Sequence, residues 1–142
     1  GGRMPLSTQL AESVRELLER WLKGDVAEPE FAAVEKLLKV QRLWSRIPRR
    51  HELLFEQARS REGHHLFCFP FEGRAVHTAL AALFGTRIGR LRPNTFTFSV
   101  NDYGFELMSR EPVNLNEARK WYKKAADLGR DDAKAELKRL GG

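Results

Sequence analysis

Between residues 46 and 92 the chain carries nine arginine or lysine residues against four acids, and the excess is arginine. A guanidinium stays charged at physiological pH and offers a planar fork of donors that matches two phosphate oxygens. The chemistry this stretch suits is therefore contact with a polyanion, through groups that give affinity with little sequence preference. Arg46, Arg49 and Arg50 flank Pro48. Arg59, Arg61 and His64 surround an expected hairpin tip, with His65 beside them. Arg90 and Arg92 cluster at the end of a central helix. Arg74 and His77 stand three apart near the start of that helix, where free amides and the helix dipole favour an anion. Tyr103 lies in the turn Asn101-Asp102-Tyr103-Gly104 and is placed to stack on a base. These residues form the candidate nucleic-acid-binding set.

Each has a plainer reading beside it. Surface arginines are usually solvated or paired, here with Glu52, Glu56, Glu62 or Glu72. Glu72, Arg74 and His77 equally suit fastening a helix to a sheet, and Asn and Asp are favoured in turns for backbone reasons alone. Arg87 shares a helical face with Val76, Leu80 and Leu83 and reads as structural.

Other chemistries find no footing. No G-x-x-x-x-G-K-[ST] loop and no DExH string occur, so the residues of a phosphoryl-transfer motor are missing. His64 and His65 are adjacent on an expected strand and point to opposite faces, which argues against a shared metal ion. Cys68 is the single cysteine and sits in the apolar run Leu66-Phe67-Cys68-Phe69, as a small core residue would. Asp102 is a lone carboxylate, thin support for a glycosylase-like enzyme. The expectation is a protein without catalytic residues, metal or cofactor.

At 142 residues, 42% hydrophobic and 31% charged, the chain is long enough and apolar enough for a packed core. No apolar run nears the roughly 20 residues a membrane span needs, and the first residues lack a secretory pattern. A cytoplasmic location and no membrane partner are expected.

The elements that position these side chains follow from periodicity. Leu10, Val14, Leu17, Leu18 and Trp21 mark a helix from about Ser7 to Lys23, capped by Ser7 or Thr8 and ended by Gly24. Pro29 opens a second helix reaching about Trp44, with Phe31, Val34, Leu37, Leu38 and Trp44 as its buried stripe. His51–Arg59 pairs through Arg61-Glu62-Gly63 with Leu66–Phe71, which is apolar on both faces and suits a central strand covered on both sides. Gly73 to about Arg90 is a helix turning Val76, Leu80, Leu83 and Phe84 inward, its end weakened by Gly85 and Gly89. Thr95–Val100 alternates, and Phe105–Met108 returns as its partner. The predicted class is α+β: two N-terminal helices, then a small, mostly antiparallel sheet of two hairpins around a central helix. A C-terminal helix-turn-helix follows.

Several strings are specific enough to carry a resemblance: PLSTQLAESVRELLER, WSRIP, HELLFEQARSREGHH, REGHHLFCFPFEGRAVHTALAAL and TFTFSVNDYGFELMS. Over residues 4–112 the chain resembles the accessory domain that follows the motor domains in the large helicase-related family, and within it the ligase-associated DEXH-box bacterial DNA helicases. From residue 113 to 142 it resembles a single Sel1-like repeat, on Ala118, Trp121, Tyr122, Ala125, Ala126, Gly129 and Ala133. One repeat cannot form a solenoid and must dock, cap or associate. The resemblance implies a non-catalytic module of a DNA-repair helicase. Its partners would be single-stranded or forked DNA and the motor domains of a longer chain. The alternative is a structural or protein-interaction module, with the C-terminal repeat capping the domain or pairing with a second copy as a homo-oligomer.

Overall fold

The computed structural model describes residues 7–124. The elements in order are α1 (Thr8–Leu22), α2 (Pro29–Trp44), β1 (Leu54–Arg59), β2 (His64–Phe69), α3 (Arg74–Leu91), β3 (Thr97–Val100) and β4 (Phe105–Ser109). Residues 115–124 lie in a further helix, α4. The α+β class is as expected. Ser7 caps α1 by accepting from the Leu10 amide at 3.1 Å, and Pro29 occupies the first turn of α2. The second half of the C-terminal repeat lies outside the described residues.

The sheet is wholly antiparallel, in the order β1-β2-β4-β3. The two expected hairpins are present and join through β2 and β4, with Leu66 opposite Leu107 and Cys68 opposite Phe105. Two glycines set the turns. Gly63 has φ +150°, and a Cβ there would stand 2.5 Å from the Ser109 carbonyl oxygen. Gly104 lies so close under β2 that a Cβ would collide with the Cys68 carbonyl oxygen and stand 3.0 Å from the Phe69 Cα.

Two separate cores result. Leu66, Cys68, Phe105 and Leu107 pack against Ala81, Phe84 and Ile88 of α3 and against Val113 and Ala118, with Phe55 and Tyr122 at the margin. Thus the start of the C-terminal segment docks into the main core. Trp21, Phe31 and Ile47 form the second, smaller core with Leu17, Leu18 and Leu38.

Three packing expectations are corrected. The inward face of α3 is His77, Ala81, Phe84 and Ile88, whereas Val76 and Leu83 are exposed. The helix continues through Gly85 and Gly89, whose bare backbone receives the Phe96 ring. On α2 only Phe31 is buried and Leu38 is half-buried; Val34, Leu37 and Trp44 face outward, beyond the small core that Phe31 forms with Trp21 and Ile47. Finally, β2 is central but packed on one face. On the other face His65, Phe67 and Phe69 form a row of near-parallel, half-buried rings, 6.0 and 6.4 Å apart, outside both cores.

Candidate nucleic-acid interface

Strand direction sorts the candidate residues onto two ends of the sheet. β1 and β4 finish where β2 and β3 begin, and α3 finishes there too, since only residues 92–96 separate it from β3. This end gathers Arg59, Arg61, His64, Arg90 and Arg92, and with them Arg110, which follows β4 and which the sequence reading missed. All five arginines are exposed, and none forms an ion pair among the described residues. The other end carries Arg50, Arg74, His77 and Tyr103, roughly 17–20 Å away along six-residue strands.

His77 does not belong to a surface site. It is 0% exposed, donates from Nδ1 to the Asn101 carbonyl at 2.8 Å and accepts the Glu72 amide at Nε2 at 3.0 Å. Those bonds fix its tautomer and tie α3 to the turn after β3, so it fastens the helix to the sheet and meets no phosphate. Arg74 stays exposed beside it. Tyr103 is exposed, packed edge-on to Phe71 with centroids 5.9 Å apart. Asn101 shapes its turn by accepting the Tyr103 and Gly104 amides at Oδ1, at 2.8 and 2.9 Å.

The residues around Pro48 also divide. Arg50 is half-buried and paired with Glu12, while its carbonyl accepts from Arg15 at 3.1 Å; Arg15 also donates to the Pro70 carbonyl and lies over the Phe71 ring. Arg50 therefore joins α1 to the sheet. Arg46 pairs with Glu52 at 2.8 Å yet stays largely exposed, and Arg49 is exposed. Just before them stands Trp44, 84% exposed at the end of α2, preceded by Leu43 at 79% and by Arg42. The sequence reading had assigned Trp44 to the core. The signal against that was the interleaving of Lys36, Lys39 and Arg42 with Leu37, Val40 and Leu43, which marks a basic, amphipathic outer face.

The remaining electrostatics are structural. Arg87 lies over the Trp121 ring at 5.2 Å rather than in a buried pair. His65 bonds Glu106 on the open sheet face and Ser60 at 2.7 Å, while His64 points to the α3 side, so the two histidines part as expected. Burial pushes the Cys68 thiol far above the ordinary thiol range, which leaves it inert. Burial raises the Tyr122 phenol as well. The Lys23 ammonium holds Glu19 down, and Arg20 does the same for Asp25.

Residues 47–140 match the DEAD/H associated sequence family. The chain belongs to that family. The DEAD/H associated region accompanies helicase motors and is not itself the motor, and the matched span runs through the 112/113 boundary into the C-terminal segment. In three dimensions the chain is similar to part of the Mycobacterium smegmatis helicase Lhr, solved bound to ssDNA and AMP-PNP. The TM-score is 0.61 at 18% identity, over 83% of this chain and 17% of that one, so the likeness is one of fold. This DEAD/H associated chain thus spans about a sixth of that helicase's length. No curated protein matches it in sequence. Among the described residues of this family member, no helix is long and apolar enough to cross a membrane.

Proposed function

We propose that this chain is a non-catalytic module of a DNA-repair helicase that contacts single-stranded DNA beside the motor domains. The observation that carries the reading is Trp44, an 84% exposed indole flanked by the exposed Arg42, Arg46 and Arg49. An aromatic platform among arginines is how proteins hold single strands, with bases on the ring and phosphates on the cations. Arg59, Arg61, Arg90, Arg92 and Arg110 at one sheet end, and Arg74 at the other, are further exposed cations. That the similar fold in Lhr belongs to a helicase bound to ssDNA agrees with this.

The test is fluorescence anisotropy of a labelled single-stranded oligonucleotide at low and moderate salt. Saturable binding that weakens steeply with salt is the expected result. No binding at low salt overturns the reading. A second reading, docking of α2 onto a motor domain, is favoured by the exposed Leu37, Val40 and Leu43. It predicts that Leu37→Glu weakens association with the motor domains and leaves oligonucleotide binding unchanged.

A further inference from the structure

At the arginine-rich end of the sheet, a cavity of about 290 Å³ opens on the α3 side of β1 and β2. Leu66, Pro112 and Val113 give it an apolar lining, and Gln57, Arg59, His64 and Ser109 a polar one. Arg59 stands directly opposite His64, and His64 directly opposite Ser109, so the three side chains form one row across three strands. Gln57 and Ser109 are already fixed: Gln57 donates to the Val113 carbonyl, and Ser109 donates to the Glu111 carbonyl at 2.7 Å. The row is held in register by Gly63, which allows the β1–β2 turn to pass close beneath the Ser109 carbonyl.

Arg59 and His64 form no ion pair among the described residues. Two basic side chains directly opposite each other repel when both are charged, and an anion between them reverses the sign. Ser109 already gives its proton to the Glu111 carbonyl, so the donors left to a tetrahedral oxyanion are the Arg59 fork and a ring N–H of His64, on neighbouring strands. Charge decides the kind of anion. A phosphodiester inside a strand carries one negative charge, whereas a terminal group brings a second one to the pair of basic side chains and gains more from them.

We infer that this recess seats a terminal phosphomonoester, of the kind carried at the end of a nucleic-acid strand. The strand as the source rests on the single-strand reading above; the recess itself does not. The site lies at the sheet end and does not include Trp44 or the α2 tip.

The experiment compares one single-stranded oligonucleotide bearing a 5′-phosphate, a 3′-phosphate or neither, titrated by anisotropy, with inorganic phosphate titrated against the His64 imidazole signals by NMR. One phosphorylated strand should bind about tenfold tighter than the unphosphorylated one, as charge-assisted bonds to the extra group would give. Arg59→Gln and His64→Gln should each remove most of that increment, read as the ratio of phosphorylated to unphosphorylated affinity within the same variant, whatever they cost the unphosphorylated strand itself. Arg59 is exposed, so its variant remains informative if His64→Gln fails to fold. Inorganic phosphate should shift His64 at millimolar concentration. Equal affinities for all three strands with an unmoved His64 would overturn the inference, as would an increment that survives Arg59→Gln. If no strand binds while phosphate still moves His64 in the parent and not in Arg59→Gln, the recess stands and the single-strand reading falls.

Discussion

Trp44→Ala separates stacking from charge. The indole is 84% exposed, so of the roughly 250 Å² it presents, only about 40 Å² is hidden in the folded chain. At about 25 cal/mol per Å² its loss costs folding about 1 kcal/mol, a small shift in melting temperature. A base stacked on that ring contributes about 2 kcal/mol, so the single-strand Kd should rise roughly thirtyfold. Stacking releases no counterions, so the salt dependence should keep its slope and the line should move parallel to itself. The paired substitution Arg42→Ala and Arg49→Ala should do the reverse, flattening the log–log slope by about 1.4 through two lost phosphate contacts. The assay is anisotropy at four salt concentrations, with thermal melts of each variant as control. A Trp44→Ala protein that binds within twofold of the parent at every salt concentration refutes the argument.

Three further outcomes follow from the packing. His77→Leu leaves the Glu72 amide and the Asn101 carbonyl without their partner, at a cost of about 2–3 kcal/mol in urea unfolding, and leaves oligonucleotide affinity unchanged below the melt. Gly104→Ala drives a Cβ into the Cys68 carbonyl and should cost about 3 kcal/mol, read as a lower urea midpoint, because backbone on both sides resists displacement. Burial raises the folded-state pKa of Cys68, so its share of stability is complete below the ordinary thiol value of about 8.5. That share is lost as pH rises, by up to about 1.4 kcal/mol per unit. Urea midpoints measured between about pH 8 and pH 10 should fall in the parent and stay flatter in Cys68→Ala.

The elements were readable because each rests on local signals. Ser7 and Pro29 mark helix starts, Arg61-Glu62-Gly63 and Asn101 to Gly104 mark tight turns, and Thr95 to Val100 alternates. What eluded the sequence was which side of each element finds a partner. Val76 and Leu83 fit a helical stripe as well as Ala81 and Ile88 do, and only the position of Phe84 against Phe105 decides the rotation. Trp44 fits the period of α2, but a period does not say how far along the helix the core reaches, and the second core takes Phe31 and Leu38 and not Trp44. The arginines were visible as a group, yet their division between two sheet ends depends on the β2–β4 pairing, which no local signal specifies. His77 reads from the sequence equally as an anion ligand or as a fastener of the helix, and only the Asn101 carbonyl beside its Nδ1 decides for the second.

The two cores meet across polar contacts: Arg15 to the Arg50 and Pro70 carbonyls, Arg50 to Glu12, and Gln41 and Ser45 to Glu56. A seam of that kind yields before either apolar cluster does, so the α1–α2 pair should open as a cooperative unit at a lower free energy than the sheet. Amide hydrogen exchange would then show two tiers of protection in one small chain. Anything bound across the α2 tip and the sheet would raise the lower tier towards the upper, and the helical pair would report occupancy through slowed exchange at amides that never touch the ligand.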